Sequence, residues 1–354
     1  MKKLHFKKIS LLAMLIIFAF NVEGQSFLSD STAAEEHHHT PWEILSGSGD
    51  DTLVCYKQAH RNMYFLVTGL VILIAFIAIK LLRTNRKNNK ILKSQNEIIE
   101  EKNKDITDSI NYAKRLQTAI LPPKDLVNSI LPEHFIIYQP KDIVSGDFYW
   151  VSHHDSKIMV AAIDCTGHGV PGALLSIVGH NAINQTVNEL GILQPAKVLD
   201  SMNTLIKKIL HQDKGSDIRD GMDMALCTFD KTTNTLEYSG ANNPVFILSE
   251  GKLNIIKGSK LTVGSMEEEK VEPPINHSIK LKKGDCFYIF SDGYADQFGG
   301  KDNKKFKTSK FQELLISLNG KSMQEQEKSL FQAFKDWKGN NEQVDDVLII
   351  GIRV

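Results

Sequence analysis

The chain has 354 residues, no formal net charge and an ordinary globular composition, with 42% hydrophobic and 24% charged residues. This length allows two domains, and the zero net charge excludes a general attraction to nucleic acid or to anionic membranes. The four cysteines have no paired spacing of the metal-binding type. Cys165, Cys227 and Cys286 lie in or beside apolar runs, so we expect them to be buried, reduced thiols.

The N-terminal segment has the pattern of a secretory signal. Lysines precede an apolar run from Leu11 to Phe20, and small residues stand before Gln25. Residues 1–24 are therefore predicted to be a signal peptide, with an uncleaved anchor as the alternative. Residues 25–62 are polar and too short for a domain with its own core, so they predict a short extracytoplasmic segment. Cys55 in this segment is a candidate for an intermolecular disulfide.

The next segment predicts one membrane-spanning helix. No residue from Met63 to Ile79 is charged, and Leu81-Leu82 extend the run past Lys80, whose amine can reach the interface. Basic residues are concentrated after the run, which indicates that the C-terminal side is cytoplasmic. We therefore expect residues 63–82 to cross the inner (cytoplasmic) membrane; the alternative is a buried core helix.

Residues 83–121 have the seven-residue repeat of a coiled coil. One position of the repeat is apolar and the second is mostly polar; the apolar position holds Leu92, Ile99, Ile106, Ala113 and Ile120. The pattern predicts a parallel two-stranded linker helix, and hence a homodimer, that ends at Leu121-Pro122-Pro123. The alternative is a solvated spacer helix.

From about Leu131 onward, short apolar runs alternate with turns, and residues 131–354 predict one domain. Strands are predicted at 135–138, 148–151, 158–163, 225–229, 245–248, 286–290 and 347–352. Helices are predicted at 171–190, 195–210, 309–318 and 323–337. Strands and helices are grouped along the chain and do not alternate strictly. We therefore expect an α+β fold with antiparallel sheets covered by helices and not a doubly wound fold.

Acidic residues stand at the ends of predicted strands that are far apart in sequence, and glycine lies beside several of them. These sites are Asp147, Asp164, Asp292 and Asp345-Asp346. Carboxylates that converge on one rim form the oxygen-rich shell that Mg²⁺ and Mn²⁺ prefer. Two such ions, about 3.5–4 Å apart, would lower the pKa of water for an in-line attack on phosphorus. Any one motif alone is weak, because Asp-Gly is commonly a turn.

The acidic motifs and two glycine-containing stretches form an ordered set. They are Ser145-Gly146-Asp147-Phe148-Tyr149, Asp164-Cys165-Thr166-Gly167-His168-Gly169, Gly221-Met222-Asp223-Met224-Ala225, Gly240-Ala241-Asn242-Asn243-Pro244, Ser291-Asp292-Gly293 and Gln343-Val344-Asp345-Asp346. In order and spacing they resemble the PP2C-type metal-dependent serine/threonine phosphatases, in particular the bacterial SpoIIE/RsbU-like branch. The resemblance covers about residue 135 to the end. It implies an α-β-β-α sandwich of two mainly antiparallel sheets, two Mn²⁺ or Mg²⁺ ions, and hydrolysis of phosphoserine or phosphothreonine on a protein.

The resemblance also implies a metal-ligand set in this chain. Asp164 would bridge both ions and the Cys165 carbonyl would complete one shell. The remaining carboxylates would come from Asp147, directly or through water, and from Asp292 and Asp345. Asp345 is preferred to Asp346 because the family's ligand is usually the first of the pair.

Two further residues are open to more than one interpretation, and the residue that binds the substrate phosphate is not identified. His168 is a candidate general acid, since its ordinary pKa is near 6.5; the alternative is a turn histidine with a structural hydrogen bond. Asp223 is either a site acid or a solvated strand-edge charge. The branch lacks the phosphate-binding arginine of the eukaryotic enzymes, and no clear substitute is evident near Ser145.

The leading hypothesis is a membrane-anchored phosphoprotein phosphatase with its catalytic domain in the cytoplasm. By resemblance, its substrate would be a phosphorylated regulatory protein such as an anti-sigma-factor antagonist. The first alternative is an inactive scaffold with the same fold that acts by docking. A second is a metal-dependent nucleotide hydrolase, although the chain has no Walker-type glycine loop. Nucleic acid is not expected as a partner, since no basic patch is evident in the C-terminal part.

Overall fold

The computed structural model of the chain describes residues 49–211, 220–265 and 273–354. The predicted signal peptide, residues 1–24, and most of the predicted extracytoplasmic segment lie outside these ranges. The described residues belong to two compact units that divide between Glu97 and Ile98.

The first element is one continuous helix, α1 (Gly49–Ile120). Among the described residues it is the one helix that is long and apolar enough to cross a membrane, and its most apolar stretch is not buried. The helix ends directly before Leu121-Pro122-Pro123, where proline restricts the preceding residue and removes a backbone donor.

In the described residues after α1, the chain forms twelve strands and six further helices. The strands are β1 (Glu133–Gln139), β2 (Phe148–His154), β3 (Lys157–Cys165), β4 (Met222–Asp230), β5 (Thr235–Ala241), β6 (Val245–Ser249), β7 (Lys252–Ile256), β8 (His277–Lys280), β9 (Cys286–Phe290), β10 (Phe298–Gly299), β11 (Lys304–Lys305) and β12 (Val347–Arg353). The helices are α2 (Lys124–Ile130), α3 (Gly169–Asn184), α4 (Pro195–Ile209), α5 (Gly293–Asp296), α6 (Thr308–Ser317) and α7 (Met323–Lys338); α3 continues into a π-helical turn, Gln185–Glu189.

The strands form two five-stranded sheets and one small hairpin. The order is β1-β12-β9-β6-β7 in the first sheet and β2-β3-β4-β5-β8 in the second, and β10 pairs with β11. Neighbouring strands in both sheets are antiparallel.

Three apolar clusters define the layers. One cluster lies between the sheets and includes Val160 and Ile350. A second packs α3 and α4 on the second sheet, around Met202, and a third packs α6 and α7 on the first sheet, around Phe311. Because burial of apolar surface is the main favourable term in folding, these clusters hold the layers in the order helix, sheet, sheet, helix. The predicted α+β class and α-β-β-α sandwich are confirmed.

The strands predicted from continuous apolar runs are present, whereas β5, β7, β8, β10 and β11 are not predicted from the sequence. β7 and β8 are short edge strands, and much of each is exposed. They carry few buried apolar residues and therefore give a weak strand signal. The prediction for the thiols is confirmed, since Cys165, Cys227 and Cys286 are all buried and free.

Candidate functional site

The site is centred on Asp164 at the end of β3, an internal strand of the second sheet. Its direct cross-strand neighbour on β4 is Asp223. Like charges in this position repel one another. The Asp223 carboxylate accepts hydrogen bonds of 2.9 Å from Asn242 and from Thr262. These contacts hold Asp223 in place beside Asp164, which favours its interpretation as a site acid.

Asp147, just before β2, is the most deeply buried of the predicted carboxylate ligands, with 3% of its surface exposed. Within the described part of the chain, its Oδ2 atom has no hydrogen-bond partner. Burial raises the pKa of Asp147 well above its ordinary value, and the nearby Asp164 carboxylate raises it further, while a hydrogen bond with Ser291 opposes both effects. A buried carboxylate oxygen without a partner is costly, so Asp147 fits the role of a cation ligand.

Two more predicted ligands are crowded by negative charge. Burial, followed by repulsion from Asp292, raises the pKa of Asp164 to about 8. Burial, followed by repulsion from Asp296, raises the pKa of Asp292 to about 6, with Lys305 acting in the opposite direction. Desolvation and like charge both disfavour ionised carboxylates, and a divalent cation would relieve both.

The pair Asp345-Asp346 divides into two roles. Asp346 is buried, and its two carboxylate oxygens accept 2.7 Å hydrogen bonds from the backbone N–H groups of Lys141 and Gly146. Asp345 is half-buried, and one of its oxygens accepts from the N–H of Asp346 at 2.8 Å. Asp346 is thus occupied in holding the loop before β2, which favours Asp345 as the ligand.

Close approach of two loops brings the Cys165 carbonyl next to Gly146. A Cβ atom on Gly146 would lie 2.4 Å from the carbonyl oxygen of Gly167 and 3.1 Å from that of Cys165. A Cβ atom on Gly172 would lie 2.2 Å from the same Gly167 oxygen. Only glycine permits this packing, and it places a backbone oxygen beside the loop that carries Asp147.

His168 makes its contacts outside the carboxylate cluster. Its Nδ1 atom is 2.7 Å from Oδ2 of Asp142, and its Nε2 atom is 3.0 Å from Nζ of Lys141. With Lys141 as a donor, the consistent tautomer has Nδ1–H donating to Asp142 and Nε2 accepting. The arrangement favours the structural role over that of general acid. Lys141 also supplies a cation four positions before Ser145, which the sequence analysis overlooked.

A second overlooked residue is Gln117, in the last turn of α1, with 4% of its surface exposed. Its Nε2 atom donates to the Ser145 carbonyl at 2.5 Å and to Ser176 Oγ at 2.9 Å. Its Oε1 atom accepts from the Ser145 N–H at 3.1 Å. Gln117 therefore fixes both backbone groups of a residue two positions before Asp147. Nothing in the heptad pattern marks it, because its partners are mainly backbone groups.

The donor set fits a hard divalent cation. In residues 49–211, 220–265 and 273–354, no three His, Cys, Asp or Glu side chains form a compact ligand set. The groups that surround Asp164 are nevertheless carboxylates and a backbone carbonyl, which are the ligands that Mg²⁺ and Mn²⁺ favour over softer metals. The unpartnered oxygen of Asp147 and the raised pKa values of Asp164 and Asp292 both point to a need for positive charge at this place.

Comparisons with known proteins agree with this fold. The family model of Stage II sporulation protein E (SpoIIE) matches residues 154–354. No curated protein sequence matches the chain significantly. Among solved structures, the chain is similar to the SiaA PP2C domain of Pseudomonas aeruginosa, with 29% identity and a TM-score of 0.65 over 71% of this chain and 98% of that one.

Two more distant structures share the fold. The PP2C phosphatase domain and regulatory-domain fragment of SpoIIE from Bacillus subtilis is 21% identical, with a TM-score of 0.51 over 63% of each chain. The RsbU and RsbW domains of a Mycobacterium tuberculosis protein are 17% identical, with a TM-score of 0.50 over 63% of this chain and 60% of that one. The motif-based resemblance to the SpoIIE/RsbU-like branch is confirmed, and the chain belongs to the SpoIIE family of PP2C-type phosphatase domains.

Proposed function

We propose that the chain is a metal-dependent phosphatase that hydrolyses phosphoserine or phosphothreonine on a regulatory protein. The observation that carries the proposal is the buried, unpartnered Oδ2 atom of Asp147 in a cluster of mutually repelling carboxylates. Such a cluster destabilises the fold unless a cation binds, so its presence supports a functional site. Membership of a phosphatase family supports the reaction type.

The proposed ligands of two Mn²⁺ or Mg²⁺ ions are Asp147, Asp164, Asp292, Asp345 and the Cys165 carbonyl. Two such ions supply activation of water for attack on a phosphate ester. The chain's own contribution is to hold these oxygens in position. Asp346 and Gln117 fix the loop before Asp147, and the antiparallel pairing of β3 with β4 fixes Asp164.

Substrate phosphate needs a positive partner at the rim, and Lys141 is the proposed one. Its ammonium lies 3.0 Å from Nε2 of His168, and His168 is held by Asp142. A charge-assisted bond from an oriented ammonium to a phosphate oxygen is a strong contact. In this proposal His168 positions Lys141 and does not donate a proton to the leaving group.

The test is phosphate release by the full chain in detergent, with a phosphoserine protein as substrate, in Mn²⁺ and in EDTA. Asp164→Asn and Asp292→Asn should each lower the rate by about 100-fold or more, because each removes a proposed metal ligand. Asp200→Asn is the matched control, since Asp200 is exposed on α4, and it should retain wild-type activity.

Each alternative has its own outcome. Mn²⁺ binding without release from any phosphoester would favour the catalytically inactive scaffold. Release from nucleotides but not from the phosphoprotein would favour the nucleotide hydrolase. Release that persists in EDTA, or in both site variants, would contradict the metal-dependent mechanism.

We also propose that the phosphatase domain, residues 131–354, is anchored by residues 63–82 at the cytoplasmic face of the inner membrane. The length and exposed apolar character of α1 support the anchor. The exposed side chains of Ile99 and Ile106, with 54% and 57% of their surfaces accessible, support a linker that pairs with a second copy. Sedimentation should give a dimer for the wild type and a monomer for Ile99→Lys/Ile106→Lys; a dimer in both would contradict pairing through this repeat.

A further inference from the structure

A lysine-rich pocket lies beside α5, the short helix that follows Asp292. Its volume is about 280 Å³, and its lining includes five lysines, one aspartate (Asp302) and Trp337; the lysines are Lys301, Lys304, Lys305, Lys307 and Lys310. Ligand pockets usually occupy about 300–1,000 Å³. A volume at the lower end of this range accommodates one or two side chains of a larger partner. The sequence predicts no basic patch for nucleic acid in the C-terminal part, and the fold brings five lysines of that part together around this pocket.

The lysine charge is only partly compensated. Lys304 pairs with Asp302 at 3.4 Å and Lys305 with Asp296 at 2.7 Å. Within the described ranges, Lys301, Lys307 and Lys310 have no carboxylate within ion-pair distance. In a chain with no net charge, this local excess of positive charge is favourable for an anionic partner.

The base of the pocket is held in place by a hydrogen bond and by ring packing of Trp337. The Trp337 indole N–H donates to the Gln297 carbonyl at 3.0 Å, and its ring packs edge-on against Phe306. Cβ atoms on Gly299 or Gly300 would lie within 3 Å of Trp337 atoms, so glycine allows the β10–β11 hairpin to close on the indole. Lys310 lies over the ring, 3.8 Å from its centroid, and this contact orients its ammonium.

The pocket is linked to the carboxylate cluster by a short chain of contacts. Asp292 is followed by α5, whose last residue, Asp296, accepts the ion pair from Lys305. The Lys307 N–H donates to the Ala295 carbonyl at 2.7 Å. A partner that places its phosphate at the carboxylate cluster therefore has adjoining residues within reach of the lysines.

Resting on the proposed function, we infer that this lysine pocket binds an acidic segment that flanks the phosphorylated residue of the substrate protein. An acidic side chain fits the volume and the charge of the pocket. Nucleic acid is less well matched, because Lys310 covers the face of Trp337 on which a base would stack. The pocket thus selects among phosphoproteins by the charge next to the phosphate.

The test uses the full chain in detergent with Mn²⁺ and two phosphoserine peptides of equal length, one with flanking Asp and Glu and one with flanking Ser and Gly. The variant is Lys301→Glu/Lys307→Glu. Its matched control is Lys197→Glu/Lys208→Glu on α4, which changes the net charge equally on the other sheet's helix layer. Fluorescence anisotropy of the labelled peptides is measured alongside turnover, so that a binding readout exists without catalysis.

The wild type and the α4 control should prefer the acidic peptide, and the pocket variant should lose about tenfold in kcat/KM for it, mainly through KM. The neutral peptide and p-nitrophenyl phosphate should be hydrolysed equally by all three proteins. The preference should also weaken at high salt, because exposed charges are screened.

Three outcomes would overturn the inference: no preference in the wild type, an equal loss for both peptides, or single-stranded DNA bound through the same lysines while the peptides are not distinguished. Failure of the proposed function is a separate result, in which the wild type hydrolyses neither peptide nor p-nitrophenyl phosphate. In that case the anisotropy measurement still decides whether the lysine pocket prefers the acidic peptide.

Discussion

Replacing Gln117 by leucine should weaken metal binding without removing any proposed ligand. The side chain of Gln117 is buried and forms hydrogen bonds with both backbone groups of Ser145, and with Ser176. Leucine has a similar size but no polar atoms. The variant therefore leaves the N–H and the carbonyl of Ser145 without their side-chain partner, two positions before Asp147.

The expected magnitude follows from these contacts. Each buried backbone group left unpaired costs roughly 1–3 kcal/mol, and burying a leucine side chain returns roughly 1.5–3 kcal/mol. The net loss is therefore about 2 kcal/mol. If the loop from Ser145 to Asp147 loosens to recover hydrogen bonds with water, that energy is lost from cation binding and weakens it about 30-fold, since 1.4 kcal/mol corresponds to a factor of ten.

The assay is a calorimetric Mn²⁺ titration of the full chain, with thermal unfolding measured in EDTA and in saturating Mn²⁺. Gln117→Leu should show weaker Mn²⁺ binding and a smaller thermal shift than the wild type. Lys114→Leu, on an exposed position one turn earlier, should match the wild type in both. The reasoning is refuted if Gln117→Leu binds Mn²⁺ with wild-type affinity and unfolds at the wild-type temperature.

Three further predictions concern pH, packing and topology. The pKa of Asp164 is raised from 3.8 to about 8, so between these pH values the folded state holds a proton that the unfolded state has lost. The stability of the fold in EDTA should therefore fall from about pH 4 to pH 8. Mn²⁺ should raise the unfolding temperature more at pH 8 than at pH 5. Equal Mn²⁺ shifts at both pH values would contradict this. Gly172→Ala, whose Cβ would meet the Gly167 oxygen, should destabilise the chain by about 3 kcal/mol or more, whereas Gly320→Ala, which has open space, should cost about 1 kcal/mol for its left-handed backbone alone; urea unfolding compares them. A membrane-impermeant maleimide on reduced intact cells should label Cys55 alone, and label that appears only after lysis would place that segment in the cytoplasm.

The central strands could be predicted from the sequence because their residues, which are buried, form continuous apolar runs. All residues of β9 are buried, as are all but the last of β12, and such runs have few other interpretations. The edge strands β7 and β8 are stabilised mainly by pairing with a neighbour, and that pairing depends on long-range topology. A local sequence pattern therefore could not locate β7 and β8. The burial of β5, the partner of β8, does not change this, because the pairing itself is not visible in the sequence.

The candidate acids could be proposed from the sequence because cation chemistry restricts the residue type, and glycine beside an acid is visible in the sequence. Their roles as metal ligands stay a prediction. The hydrogen bonds that position them could not be predicted. Gln117 and Asp346 act on backbone groups, which every residue offers, so no sequence pattern identifies their partners. Their contacts with the loop span 28 and 200 positions of the chain.

The loop from Lys141 to Gly146 connects three distant parts of the chain. Asp346 holds its two ends from the start of β12, and Gln117 holds Ser145 from the end of the long helix. The loop leads into Asp147, a proposed metal ligand whose buried Oδ2 atom has no hydrogen-bond partner among the described residues. Small displacements of these anchors would be transmitted to Asp147 through hydrogen bonds with fixed geometry. The affinity for metal should therefore depend on contacts made by residues that never touch the ion.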